Sequence, residues 1–351
     1  MSVPQFPIPD PRSPIPGGVI PDPRSPIPNG GIPEPHSPTS PREGQTFGGT
    51  SRWVTYANLV KLPHTVFALP FALVGVVLAS YDAPVRWQAV LWVVVAFTAA
   101  RFAAMGFNRI VDRKIDARNP RTKMREIPAG MLRVGEAIGA VGVASVIFVG
   151  AAWQLNPLCA VLSPAALTWV FFYSYTKRFT RWSHLVLGVG LSIAPVGGYL
   201  AVRGQWSDPS WMLIVLALAV TTWTGGFDVL YALQDLEFDR DARLHSLPAA
   251  VGEERAFAIS RVLHSASVLC LALVGAARYG HSGAGSIYAL GVVGAGALLF
   301  YEHTLVKPGD IGKLDAAFFT MNGIISMTFF GFVLVERITH SAQVILVAGH
   351  R

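Results

Sequence analysis

Asn108, Asp112 and Asp116 recur at intervals of four residues at the end of a long apolar run. If the helix of that run continues through them, each step of four advances the side chain by only about 40°, so all three lie along one face. Tyr231, Asp235 and Asp239 end another apolar run much later in the chain in a similar way. Converging carboxylates repel one another unless cations neutralise them. Mg²⁺ is suited to this, because it binds oxygen, commonly through one or two carboxylates with phosphate oxygens and water completing its shell. Two facing clusters therefore suit two Mg²⁺ ions bridged by a diphosphate. The sequence has neither a His/Cys grouping of zinc type nor a Gly-rich loop of the G-x-x-x-x-G-K-[ST] kind. A lone D-x-x-x-D at a helix end is ordinarily a solvated loop start; two at matching positions are much harder to obtain by accident.

Cations surround both clusters. Lys61 precedes the first apolar segment, Arg121 and Arg125 follow the first cluster, and Lys177, Arg178 and Arg181 lie between two later segments. Arginine holds phosphate oxygens bidentately and lysine acts as a point charge, so the set fits a polyanion, although each residue taken singly also reads as an ordinary basic loop residue. Tyr173-Ser-Tyr175-Thr-Lys177 ends its segment with two aromatics and a hydroxyl near the level of Lys177. Arg101 stands seven residues before Asn108, on the same helical face and deeper. An arginine within a membrane span costs about 2.5–3.5 kcal/mol on insertion scales, which marks it as a ligand contact or as a structural partner for Asp112 or another carboxylate.

A membrane bundle must position these residues. The chain of 351 residues is 52% hydrophobic and 14% charged, whereas soluble domains carry about 25% charged residues. Nine apolar segments approach the length of about 20 residues needed to cross a bilayer, at residues 64–81, 87–107, 134–154, 157–175, 184–202, 211–231, 262–279, 284–301 and 316–335. They are apolar all round, and Pro70, Pro164 and Pro195 are tolerated where neighbouring helices satisfy the freed carbonyls. The expected fold is an all-α integral membrane protein, with nine transmembrane helices in one bundle around a cavity. The N-terminal region and the loops after segments two, four, six and eight hold 22 of the 28 Lys and Arg residues, the opposite loops and the C-terminus hold five, and Arg101 lies within segment two. By the positive-inside rule the richer side is cytoplasmic, which puts both acidic clusters and the cavity mouth there. The expected location is a bacterial inner membrane.

The net charge of +7 is then topological, and no single soluble surface gathers it for nucleic acid. Cys159 and Cys270 lie in apolar segments and read as small hydrophobes. Gly188, Gly190, Gly197, Gly198 and Gly275 serve close helix packing or, on the other reading, a channel for an apolar tail. Residues 1–50 stand apart from the membrane domain at 51–340 and from a short C-terminal tail at 341–351. Fourteen of the 25 prolines fall before residue 42, in a twelve-residue repeat from Ile8-Pro-Asp-Pro-Arg-Ser-Pro14 to Ile32-Pro-Glu-Pro-His-Ser-Pro38. Such a tract forms neither helix nor sheet ladder and is expected to be extended or disordered; it lacks the apolar core of a signal peptide.

Asn108-x-x-x-Asp112-x-x-x-Asp116 and Asp228-x-x-Tyr231-Ala-Leu-Gln-Asp235-x-x-x-Asp239 resemble the two signature motifs of the UbiA-type intramembrane aromatic prenyltransferases. Lys61-Leu-Pro-His-Thr-Val-Phe-Ala-Leu-Pro70, Asn119-Pro-Arg-Thr122, Arg125-Glu-Ile-Pro-Ala-Gly130 and Tyr173-Ser-Tyr-Thr-Lys177 are similar to the 4-hydroxybenzoate polyprenyltransferase branch. The resemblance covers residues 55–335, and the chain departs from many members at Arg109, where they carry Asp. It implies transfer of a polyprenyl chain from its diphosphate to the ring of an aromatic acid in lipid-quinone biosynthesis, with 4-hydroxybenzoate or a dihydroxynaphthoate as acceptor. It also implies that Asn108, Asp112, Asp116, Asp235 and Asp239 hold the Mg²⁺–diphosphate. Tyr231, Tyr173 and Tyr175 are then candidates to face the allylic cation, and Asp228 to orient or deprotonate the acceptor. Two rivals fit less well. A CDP-alcohol phosphotransferase needs all its aspartates within one motif, and a cation transporter places its carboxylates nearer the midplane.

Overall fold

The computed structural model describes residues 47–49, 51–280, 285–311, 314 and 320–349. The proline repeats and residues 316–319, which begin the ninth expected span, lie outside the described residues. Among the described residues there is no strand, only an isolated bridge between Lys307 and Asp310. The helices are α1 (Arg52–Leu59), α2 (Leu62–Ala79), α3 (Trp87–Asp116), α4 (Val134–Leu155), α5 (Pro157–Thr176), α6 (Ser183–Arg203), α7 (Trp211–Tyr231), α8 (Leu236–Asp241), α9 (Leu247–Val251), α10 (Glu253–Tyr279), α11 (Ser286–Leu305) and α12 (Asn322–Gly349).

Among the described residues seven helices, α3 to α7, α10 and α12, are long and apolar enough to cross a membrane, where nine segments are expected from the sequence. The remaining two expected positions are helical. In α2 the short apolar stretch is Ala68–Ala79, and α11 ends in the polar turn Tyr301-Glu302-His303-Thr304, which dilutes its hydropathy. Two further bounds differ from expectation. The seventh segment begins nine residues earlier, at Glu253, and α12 continues through most of the expected C-terminal tail.

Local chemistry explains the joints. Asn156 alone separates α4 from α5: its side chain accepts from the Cys159 N–H while Pro157 takes the first helical position, where no backbone donor is needed. The Asn156 amide also donates to Leu200 O on α6 at 2.9 Å, tying this hairpin to the bundle. The interior prolines sit in α2, α5 and α6 without ending them.

Helix α7 is the central mast. It packs on α6 and α10, and two thirds of its apolar stretch (67%) is buried against 11% for α5. Its Leu213, Leu216, Val220 and Trp223 meet Phe71, Val74 and Leu78 of α2 and Leu271 and Val274 of α10. At the end where α2 finishes, Asp82 accepts from Arg278 at 2.8 and 3.0 Å and from the Tyr199 hydroxyl at 2.7 Å, while Arg337 donates to Ser80. This clamp joins α2, α6, α10 and α12 at the end remote from the acidic clusters.

Helices α2 and α6 touch backbone to backbone. A Cβ on Gly75 would lie 1.9 Å from Pro195 O, and one on Gly198 would lie 2.1 Å from Ala72 O. Gly198→Ala therefore has to push two helices apart and should cost about 1–3 kcal/mol or more. Gly139→Ala, with nothing within 4 Å of its added carbon inside α4, should leave stability unchanged or raise it by up to about 1 kcal/mol. Thermal unfolding in detergent compares the two; equal midpoints would contradict the close approach.

Candidate active site

Helix α3 does not stop where its apolar run stops. It continues to Asp116, so Asn108, Asp112 and Asp116 do project along one face. The Asn108 amide donates to Asp112 Oδ2 at 3.0 Å. The second cluster is built differently. Helix α7 ends at Tyr231, a 3₁₀ turn spans Ala232–Asp235, and Asp239 stands on α8. The tighter turn re-aims the chain, and no proline or glycine between 232 and 235 announces it.

Each cluster is held by arginine. Arg121 Nε donates to Asp235 Oδ1 at 2.9 Å, a second guanidinium nitrogen donates to Asp235 Oδ2, and a third donates to the Tyr231 hydroxyl at 3.0 Å. The Asn119 amide also donates to Asp235 Oδ1, at 2.8 Å. Arg125 pairs with Asp116 at 2.7 Å, and Arg178 with Asp112 at 2.9 Å. Burial alone would lower the basicity of Arg121, but its bonds to Asp235 and Tyr231 outweigh that and raise it. Lys177 behaves likewise: burial pushes its ammonium down, and the carboxylates of Asp239, Asp228, Asp235 and Asp112 push it further up. Lys61, in a left-handed conformation at φ 46°, sends its ammonium to 3.5 Å from the Tyr231 hydroxyl. Arg121 and Lys61 both lie over the Tyr231 ring, at 5.2 and 5.8 Å from its centroid.

The donor set fits a hard cation in one specific way. Asp116 Oδ2 and Asp239 Oδ2 are buried oxygens without a hydrogen-bond donor. Among the described residues, no three of His, Cys, Asp and Glu lie close enough to share one metal ion. An ion held by one or two carboxylates that relies on phosphate oxygens for the rest needs no such triple.

Both clusters open on one cavity of about 880 Å³. Its head is lined by Lys61, Asn108, Asp112, Asp116, Arg121 and Arg125, with Tyr173, Lys177, Asp228, Tyr231, Asp235 and Asp239 opposite. From there it follows α7 through Phe227, Trp223 and Ala217 to Ile214 and Leu213. Leu213 and Tyr231 are eighteen positions apart along the helix, a rise of about 27 Å. Gly190 and Gly197 of α6 border this apolar length, and a Cβ on Gly197 would meet nothing within 4 Å. Gly188 and Gly275 instead pack, against Thr221 O and the Tyr288 ring; Gly198 does both. Arg101 lines the cavity about 10 Å of helix beyond Asn108. Its Nε is buried without a hydrogen-bond partner, and none of the ion pairs among the described residues involves it. The Asp112 partner expected for it is Arg178 instead.

Two expected residues do not line the cavity. Tyr175 lies two residues, or about 200°, round the helix from Tyr173, so both cannot face inward; Tyr173 does, and Tyr175 is 44% exposed, its ring against Phe107 and Arg178. Arg178 is exposed as well and reaches Asp112 from outside, donating also to Ser174 O. The departure at Arg109 places a buried guanidinium on the cavity wall, in electrostatic contact with Arg125, Asp116 and Glu126. Asn119, in the quoted Asn-Pro-Arg-Thr run, was not singled out by its residue type, and His184 carried no local signal. Both act through partners distant in the chain.

Known proteins resemble this chain in sequence and fold. The UbiA prenyltransferase family matches residues 68–324, well over half of the chain. A 4-hydroxybenzoate octaprenyltransferase of Aeromonas salmonicida is 29% identical over 80% of this chain and 94% of its own length. One of Marinobacter nauticus is 30% identical over 67% of this chain and 77% of its own. The apo structure of a UbiA homolog from Aeropyrum pernix superposes with a TM-score of 0.69 at 29% identity, over 78% of this chain and 98% of that one. A UbiA homolog from Archaeoglobus fulgidus, bound to GPP and Mg²⁺, shares the fold with a TM-score of 0.59 at 19% identity, over 81% and 99% of the two chains. With its apolar helices and paired acidic clusters, the chain belongs to the UbiA prenyltransferase family and is a 4-hydroxybenzoate polyprenyltransferase-like integral membrane enzyme.

Proposed function

We propose that the chain transfers a polyprenyl group from polyprenyl diphosphate to the ring of a 4-hydroxybenzoate-type aromatic acid, for lipid-quinone biosynthesis, at a site facing the cytoplasm. The observation that carries this reading is the single cavity with a charged head and an apolar length. A prenyl diphosphate has the same division, and its tail can lie between helices while the diphosphate stays at the basic mouth. Relatives named 4-hydroxybenzoate octaprenyltransferase and the Archaeoglobus homolog holding GPP and Mg²⁺ support the substrate class. The loop charges support the cytoplasmic orientation, with nine helices if α2 and α11 also span.

In this reading Asn108, Asp112, Asp116, Asp235 and Asp239 hold the metal. Mg²⁺ supplies charge neutralisation of the departing diphosphate. Arriving phosphate oxygens give Arg121 and Arg125, which line the cavity, a second anion and so free carboxylate lone pairs, while Arg178 stays on Asp112 from outside. Lys61 and Lys177 add point charges at the same mouth. The prenyl C1–O bond breaks with its electron pair leaving on the diphosphate. A ring carbon of the acceptor bonds to C1, and the ring carbon then gives up its proton to an oxygen of the departed diphosphate, which restores the aromatic ring. Tyr173 and Tyr231 give the allylic cation an aromatic wall. Arg101, lacking a carboxylate partner, receives the carboxylate of the acceptor, which removes the cost of leaving a buried cation unpaired.

Membranes containing the protein, given labelled prenyl diphosphate with either 4-hydroxybenzoate or a dihydroxynaphthoate, should yield a labelled prenylated acid; no transfer to either would overturn the reading, and the product identifies the acceptor. Asp112→Ala or Asp235→Ala should lower transfer by about 10²–10³-fold, and EDTA should stop it until Mg²⁺ is restored. Near-normal turnover in either variant, or with EDTA present, would remove the two-cluster mechanism. Arg101→Leu should raise KM for the acceptor about tenfold and Lys177→Ala should raise KM for the diphosphate similarly; the reverse pattern would exchange their assignments.

A further inference from the structure

His184 of α6 is 1% exposed and belongs to neither carboxylate cluster. Its Nδ1 lies 2.6 Å from Asp228 Oδ2. On its other side the Leu247 backbone N–H donates to Nε2 at 3.3 Å. A backbone N–H can only donate, so Nε2 is an acceptor and the ring proton stands on Nδ1, pointed at Asp228. Three elements thus meet at one imidazole: α6, α7 through Asp228, and the start of α9 through Leu247. Asp228 borders the cavity between the second cluster and the apolar length, near Tyr173 and Lys177. Its Oδ2 is taken by His184; among the described residues Oδ1 accepts no hydrogen bond.

The segment from Asp239 to Leu247 is short and tied down. The Leu244 N–H donates to Asp239 O at 2.8 Å, the His245 N–H donates to Lys177 O at 2.8 Å, and Ser246 caps α9. Asp239 and Lys177, at the diphosphate end, are therefore linked through a few fixed residues to the nitrogen that fixes the His184 tautomer.

We propose that His184 is a positioning residue for the acceptor: its Nδ1–H holds Asp228 in one rotamer, with Oδ1 presented to accept a hydrogen bond from the acceptor's ring hydroxyl. Leu247 sets the tautomer that makes this possible. A hydroxyl hydrogen-bonded to a carboxylate feeds electron density into the ring, which is what attack on the prenyl C1 requires. The second consequence is selectivity. An aromatic acid lacking that hydroxyl leaves the Asp228 oxygen unpaired in the cavity, and sites built to bind a hydroxyl reject analogues without it strongly. The inference rests on the aromatic-acid reading of the previous subsection.

The side-chain replacements separate positioning from packing. Asparagine can place its amide N–H near the position of Nδ1, whereas glutamine extends to the region of Nε2 and is closer to histidine in size. Full-length His184→Asn, His184→Gln and His184→Ala in membranes, with thermal unfolding as the folding control, should show His184→Ala and His184→Gln losing about tenfold or more in kcat/KM for the acceptor. KM for the prenyl diphosphate should stay within about twofold in both, and His184→Asn should recover most of the loss. His184→Gln outperforming His184→Asn, or a KM increase confined to the diphosphate, would overturn the positioning role. So would unchanged acceptor kinetics in His184→Ala. A wild-type protein that prenylates neither acid would instead overturn the functional reading, and this proposal with it.

Discussion

Everything in this structure answers to one constraint: four carboxylates at the end of an apolar bundle must be neutralised where water is scarce. Removing a charge from water costs several kcal/mol unless a partner and further hydrogen bonds compensate. Arg121, Arg125 and Arg178 supply those partners for Asp235, Asp116 and Asp112, and Lys177 lies among the carboxylate fields. The loop from α3 to α4 carries two of those arginines and Asn119, so its sequence is dictated by a cluster more than a hundred residues away. The same loop therefore fastens the two halves of the bundle together at the site.

That pairing also defines what the site can exchange. A guanidinium that grips a carboxylate bidentately grips a phosphate in the same way. The mouth is thus already arranged for an anion that brings its own cations, and the apolar wall along α7 accounts for the rest of such a ligand. The clamp of Asp82 with Arg278 and Tyr199 at the opposite end keeps four helices together where no ligand charge can help.

Much of the bundle was legible in the sequence because long apolar runs have few alternatives to helix in a membrane. The face shared by Asn108, Asp112 and Asp116 followed from helical periodicity, since α3 does continue. Periodicity did not reveal the 3₁₀ turn at 232–235, which no residue type marks, nor the choice between Tyr173 and Tyr175, which depends on how α5 is rotated against α3 and α6. Asn119 and His184 were invisible for a related reason. Their partners, Asp235 and Asp228, are 116 and 44 residues distant, and only packing brings them together. Among the described residues seven of the nine expected spans are long and apolar enough, and at the other two a polar turn or a short apolar stretch dilutes a helix that is nevertheless present.

The central claim is that the two clusters are halves of one metal–diphosphate site. Its most direct test is a crystal structure with a non-reactive prenyl thiolodiphosphate and Mn²⁺, read by anomalous scattering. The account predicts two manganese peaks, one against Asp112 and Asp116 and one against Asp235 and Asp239, flanking a single diphosphate. A diphosphate bound away from either cluster, or manganese at only one of them, would contradict it.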